Sequence, residues 1–197
     1  MQNNIVENLS NFKRVTLCES DDVNVIIRKI ASKIAAKYAN EKSLAIIGIL
    51  RRGAPLADLV LQELKKLVRV PDNILRVDFN VKRYADDLSI LYPHTLLTLD
   101  PLSSSVNLEG YHIVLVDDVI FTGSSILKVI EYLLTKSPAS ISTACLVDRL
   151  NSKYSIQSEF VGLYFQANPQ FIIECNVPPY EPSLKIDLAF PTKYLQQ

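Results

Sequence analysis

Residues 113–125 read Ile-Val-Leu-Val-Asp-Asp-Val-Ile-Phe-Thr-Gly-Ser-Ser. An apolar run of strand composition ends in two adjacent carboxylates, Asp117 and Asp118. A hydroxyl-rich turn, Thr122-Gly123-Ser124-Ser125, then leads into an amphipathic stretch from Ile126 to Leu134. The order is strand, turn, helix start. Glycine lets backbone come close to an anion, hydroxyls donate to phosphate oxygens, and the unpaired N–H groups and dipole of a helix start favour negative charge. The two carboxylates suit something other than phosphate: side by side they accept hydrogen bonds from neighbouring hydroxyls, as on a ribose. The stretch therefore predicts a ribose carrying a phosphate as ligand. The competing reading is a plain β-to-α connection in an open α/β sheet, since a Gly/Ser/Thr turn after a strand is a weak signal by itself.

On either side the chain alternates in the same way. Residues 21–40 carry Val25, Ile26, Ile30, Ile34 and Tyr38 at near-helical spacing, with Ser20 or Asp21 as the cap. Residues 44–49 are a short continuous apolar run, the mark of a strand buried on both faces, and residues 54–67 are again helical in pattern. Between them lies Leu50-Arg51-Arg52-Gly53. Further strands are predicted at 75–81, 113–116 and 142–147, and a helix at 125–134. Such alternation predicts an α/β fold: an open, mainly parallel sheet flanked by helices, with ligands at the carboxyl ends of the strands. The turns after Leu50 and Asp117 both occupy such ends.

Two regions break the pattern. Residues 84–110, with Pro93, Pro101 and the run Ser103 to Ser105, are longer than a compact domain keeps as plain loop. They read as a lid loop or, equally, as a surface excursion with a small hairpin at 95–99. Residues 158–197 mix Phe160, Tyr164, Phe165 and Phe171 with several prolines. They are too short for an independent domain and read as a small C-terminal hood on a single domain spanning 1–197.

Composition bounds the function. The 197 residues are 48% hydrophobic, and Lys plus Arg equals Asp plus Glu at 21 each. No global field therefore draws the chain to nucleic acid. Lys65, Lys66 and Arg69 fall at helical spacing and read as a solvated face. No run reaches the roughly eighteen apolar residues of a membrane helix, and the first residues lack the build of a signal peptide. That excludes a membrane partner and predicts a cytoplasmic location. Cys18, Cys145 and Cys175 are widely spaced with no C-x-x-C pair, so they read as reduced core thiols. His112 opens a strand and reads as structural; His94 lies in the lid.

Several ordered motifs resemble the type I phosphoribosyltransferases, and among them the pyrimidine operon attenuation proteins that are also uracil phosphoribosyltransferases. They are Gly48-Ile49-Leu50-Arg51-Arg52-Gly53, Val77-Asp78-Phe79, Tyr84-Ala85-Asp86-Asp87-Leu88-Ser89, the acidic stretch, Leu146-Val147-Asp148-Arg149 and Phe160-Val161-Gly162. The resemblance implies that phosphoribosyl diphosphate is held by Leu50, Arg51, Arg52 and Gly53, by Asp86 and Asp87 at the base of the lid, and by Asp117, Asp118, Val119, Phe121, Thr122, Gly123, Ser124 and Ser125. The Leu50 to Gly53 loop would wrap the diphosphate, often with a cis peptide before Arg51. Asp117, Asp118 and Arg52 would be catalytic, the two aspartates holding the ribose hydroxyls directly or through Mg²⁺, which they would bind themselves or through water. Thr122 to Ser125 would take the 5′-phosphate, and Phe160 and the backbone of Val161 the base. Read without the resemblance, Arg51 and Arg52 suit a surface ion pair and Phe160 an ordinary core position.

What the resemblance implies is an enzyme of nucleotide salvage that transfers phosphoribose to a nucleobase, uracil first and hypoxanthine or guanine second, acting as a homo-oligomer. Binding of RNA by a regulator is the rival. Leu150, Asn151 and Ser152 stand where the family carries glycine, histidine and arginine, and Gln157 and Leu163 stand at positions that would be basic. RNA affinity is mainly electrostatic, so these departures disfavour RNA. Ala85, Phe121 and Ser124 replace an arginine, a tyrosine and an arginine of the family, which removes polar groups near an anionic substrate.

Overall fold

Leu44, Ala45, Ile46 and Ile47 are all fully buried, and successive strand residues point to opposite faces, so this strand needs a packed layer on each side. The computed structural model, which describes residues 12–82, 96–98, 105–154 and 156–195, supplies both layers. In chain order its elements are β1 (Phe12–Cys18), α1 (Ser20–Tyr38), β2 (Ser43–Leu50), α2 (Gly53–Leu64), β3 (Asn73–Lys82), β4 (Leu96–Thr98), β5 (His112–Ile120), α3 (Ser124–Leu134), β6 (Ser140–Asp148), β7 (Phe160–Tyr164), β8 (Ile172–Asn176) and β9 (Lys185–Pro191), followed by a 3₁₀ turn at Thr192–Leu195.

The main sheet has the order β4-β3-β2-β5-β6-β7. It is parallel except for β4, which runs antiparallel to β3 with Leu97 opposite Val81. The open, mainly parallel α/β sheet expected from the alternation is therefore present. Leu44, Ile46, Val114 and Val116 face α1 and α2, whereas Ala45, Ile47, Ile113 and Leu115 face Ile126, Val129 and Leu133 of α3. Arg76 on β3 fixes α2 further, its Nε donating to Asp58 (2.8 Å) and its Nη2 to the carbonyl of Ala54 (2.7 Å).

Two local readings shift. The cap of α1 is Glu19, whose amide donates to Asp22 Oδ2 at 3.3 Å. Ser20 is already helical and gives its hydroxyl to the carbonyl of Leu184 at 2.6 Å. In β5 the strand does not stop at Val116. It stays paired with β6 as far as Ile120, opposite Asp148, whereas its register with β2 ends at Val116. Asp117 and Asp118 are thus strand residues, held straight from one side and open on the other.

A second sheet, β1-β9-β8, is antiparallel throughout. Ile173, Cys175, Val177 and Ile186 turn its inner face onto the α1 and α2 side of the core. One buried carboxylate joins all three strands: Asp187 on β9 accepts from Thr16 of β1 (2.8 Å), Asn176 of β8 (2.9 Å) and Lys185 (2.7 Å). β7, at the start of the C-terminal stretch, belongs to the main sheet instead. Cys145 and Cys175 are buried free thiols, and Cys18 is partly covered. His112 bonds Ser140 through Nδ1 (2.8 Å) and approaches Glu41 through Nε2 (2.9 Å), a structural arrangement. Among the described residues no helix is long and apolar enough to cross a membrane.

Burial pushes the Asp187 carboxyl up, but the bonds from Lys185, Thr16 and Asn176 outweigh it and hold the group below its ordinary value. Its stabilisation is therefore complete above the unfolded value near pH 4 and fades as pH falls through the lower folded one. Asp187→Ala is expected to cost about 2 kcal/mol at pH 7 and to remove that acid-dependent loss. Urea midpoints measured between pH 7 and pH 2.5 check both.

Candidate active site

Strand order decides where ligands can bind. β3 lies on one side of β2 and β5 on the other, so the connections leaving β2 and β5 diverge and open a crevice at this switch point. How tightly its walls approach depends on Gly53, the first residue of α2. A Cβ there would lie 2.5 Å from the carbonyl oxygen of Val116 and 3.1 Å from Cα of Asp117, so any side chain would push α2 off the end of β5. The Leu50–Arg51 peptide just before it is cis. The loop Leu50 to Gly53 and the acidic end of β5 are thereby in contact.

Asp117 and Asp118 are half-buried at that end. The amide of Asp118 donates to Asp117 Oδ1 at 3.0 Å. Burial, and then the charge of Asp118, raise the Asp117 carboxyl well above the usual carboxylate range. Burial raises Asp118 as well, with the nearby Arg52 guanidinium opposing it. Two like charges this close do not both ionise easily, and the upward push is the stronger on Asp117. Incoming hydroxyl donors or a cation would relieve the pair.

The turn that follows is built to present donors. Gly123 adopts φ +76°, a left-handed conformation that costs glycine nothing, and it caps α3. Thr122 Oγ1 and Ser124 Oγ share a hydrogen bond of 3.0 Å. The carbonyl of Thr122 accepts from the amide of Lys153 at 3.1 Å, which fixes the turn from β6's side. The helical ladder begins with Leu127 donating to Gly123 (2.9 Å), so the amides of Ser125 and Ile126 precede it. Residues 117–126, Arg149, Ile172 and Ile173 line one cleft of about 290 Å³.

The cleft thus brings together Asp117, Asp118, Val119, Phe121, Thr122, Gly123, Ser124 and Ser125, with Leu50 to Gly53 against its acidic end. Arg52 is already engaged: its Nε (2.9 Å) and Nη2 (2.6 Å) both donate to Oε1 of Glu181. The other oxygen of Glu181 accepts from the amide of Val177 at 3.0 Å. The Arg51 guanidinium lies 4.7 Å from the ring centre of Tyr180. The connection between β8 and β9, with its cis Pro178–Pro179 bond, therefore rests on the Leu50 to Gly53 loop. Asp86, Asp87 and His94 lie outside the described residues.

Phe160 and Val161 are a correction. Phe160 opens β7, and ligands gather at the other end of parallel strands. Its ring is 3% exposed and packs edge-on against Tyr38 at 6.4 Å, so stacking on a heterocycle would require the core to open. Val161 is buried on the edge strand β7, opposite Cys145 of β6. Ile172 and Ile173, at the start of β8, supply the apolar wall of the cleft instead. Sequence reasoning also missed Glu181, which has no local signal, and Arg149, whose signal was its place one residue beyond a parallel strand.

The fold and its lined cleft define an open α/β protein with a cleft at the carboxyl edge of its parallel sheet. The chain belongs to the phosphoribosyltransferase family: residues 19–179 match the family model described as phosphoribosyl transferase domain. It is 35% identical over 149 residues to the bifunctional protein PyrR of Roseiflexus sp. (strain RS-1), covering 74% of this chain and 78% of that one. To the bifunctional protein PyrR of Caldicellulosiruptor bescii it is 29% identical over 176 residues, 88% and 92% of the two chains. Hypoxanthine phosphoribosyl transferase of Trypanosoma cruzi shares the fold, with a TM-score of 0.71 at 18% identity over 92% of this chain and 94% of that structure.

Gly53→Ala is expected to destabilise the protein by about 1–3 kcal/mol, the ordinary cost of forcing an extra carbon into a packed contact. Urea denaturation of the variant beside the wild type measures the loss.

Proposed function

We propose that this phosphoribosyltransferase moves 5-phosphoribose from phosphoribosyl diphosphate to uracil, with hypoxanthine or guanine as the second choice of base. The observation that carries the reading is a single cleft holding an acidic pair at one end and a hydroxyl and amide cradle at the other. The relatives at 35% and 29% identity, both PyrR proteins, favour uracil, because the likeness to hypoxanthine enzymes is one of fold.

In this reading Asp117 and Asp118 accept hydrogen bonds from the ribose 2′ and 3′ hydroxyls, and the amides and hydroxyls of Thr122 to Ser125 hold the 5′-phosphate. Backbone amides of Leu50 to Gly53 and the Arg52 guanidinium take the diphosphate, Arg52 being oriented by Glu181. When the C1–oxygen bond breaks, the electron pair leaves with the diphosphate and positive charge develops on the sugar. The base nitrogen then forms the C1–N bond from the opposite side and loses its proton. Ile172 and Ile173 form the apolar wall against which the base sits. The protein's share of catalysis is alignment, a counter-charge for the ring and exclusion of water. The C-terminal stretch from residue 158 serves as the hood within one domain, and most of the lid loop at 84–110 lies outside the described residues.

Mg²⁺ fits this site. The acidic pair resists full ionisation, which a divalent cation would relieve, and no cluster of three or more metal-ligating side chains occurs among the described residues. That suits an ion that keeps most of its ligands from substrate and water. Asp117 and Asp118 would hold it, and when bound it neutralises diphosphate charge.

Diphosphate release in a panel of uracil, hypoxanthine, guanine and adenine, each with phosphoribosyl diphosphate and Mg²⁺, tests the proposal. Uracil is expected to give the highest rate, and Asp117→Asn with Asp118→Asn to lower it by about a hundredfold or more, roughly 2.7 kcal/mol of barrier, with the circular dichroism spectrum unchanged. Silence with every base would overturn it.

A further inference from the structure

Among the described residues Arg149 is a buried cation without a counter-charge. The residue is 5% exposed and stands one position past the carboxyl end of β6, where its amide donates to the carbonyl of Ile120 at 3.0 Å. Its guanidinium stacks 4.3 Å from the ring centre of Phe121, and Nη2 donates to the carbonyl of Asn168 at 3.1 Å. Nε is buried with no hydrogen-bonding partner among the described residues. Among the described residues no carboxylate pairs with this side chain. Burial alone lowers its pKa, with nothing opposing the shift.

Such an arrangement is costly unless something supplies the missing negative charge, because a buried ion needs both a partner and satisfied donors. Arg149 is the one cation among the described residues that line the cleft, whose other walls are hydroxyls, aliphatic side chains and the two carboxylates. The Phe121 ring lies under the guanidinium, beside the turn that begins at Thr122. The cradle thus has donors of its own but draws its only full positive charge from this neighbouring strand end. We propose that Arg149 binds the phosphate of the sugar-phosphate ligand and makes the cleft select phosphorylated over unphosphorylated ribose. The inference rests on the reading of the cleft given under Proposed function and adds a residue to it.

Calorimetric titration of the full chain with ribose 5-phosphate, ribose and inorganic diphosphate tests it, using the wild type, Arg149→Met and Arg149→Lys. Arg149→Met is expected to bind ribose 5-phosphate at least tenfold more weakly than the wild type while keeping its affinity for inorganic diphosphate, and Arg149→Lys to recover part of the loss. In the wild type, the Nε–H resonance of Arg149, assigned by its disappearance in Arg149→Lys, is expected to shift with ribose 5-phosphate and not with ribose. This second readout stands even where Arg149→Met fails to fold. Unchanged affinity in Arg149→Met, an unmoved resonance, or an equal loss for ribose 5-phosphate and inorganic diphosphate would each overturn the role of Arg149. A wild type that binds neither ribose 5-phosphate nor phosphoribosyl diphosphate would instead remove the reading of the cleft, and this inference with it.

Discussion

The approach of α2 to the end of β5 is the constraint on which the rest of the architecture turns. Parallel pairing of β2 with β5 brings their carboxyl ends level, with Gly48 opposite Val116. The missing side chain at Gly53 then lets the first turn of α2 touch the Val116 carbonyl. Without that contact the loop carrying Arg51 and Arg52 would stand away from Asp117 and Asp118, and the cleft would lose one wall. Hydrophobic burial on both faces of β2 supplies the driving force for the sheet, but this one close contact sets the geometry of its edge.

Electrostatics at that edge are arranged in opposition. The acidic pair is pressed toward neutrality by burial and by mutual repulsion, while Arg52 is pushed down by burial and pulled back up, on balance, by Glu181 and Asp118. Charges of both signs are thus kept close but incompletely paired, which is the state in which a charged ligand gains most from entering. The Glu181 contact spans 129 positions of sequence, so the second sheet is tied to the chemistry of the first.

How much of this was legible in the sequence follows from the range of the interactions. β2, β5, α2 and α3 were readable because burial on both faces makes a continuous apolar run and because Gly53 and Gly123 mark their own turns. The acidic pair and the hydroxyl turn were readable for the same local reason. β1 was not, since four consecutive residues, Lys13 to Thr16, are exposed and leave no apolar face to detect. Phe160 was placed at the base by the resemblance of Phe160-Val161-Gly162, a run that carries no sign of which end of a strand it occupies, and only the register with Ala144 shows that end. Ile172 reaches the cleft, and Glu181 reaches Arg52, through long-range contacts to which no local pattern points, whereas Arg149 is signalled only by its place just past a parallel strand.

The placement of β9 between β1 and β8 has a consequence for biogenesis. Synthesis proceeds from the amino end, yet among the described residues β1 has no strand neighbour other than β9. When it leaves the ribosome, its backbone donors and acceptors must stay with water until some 170 further residues have followed. Of the described strands, the one made earliest is among the last to be seated, and Asp187 is the group that completes its attachment.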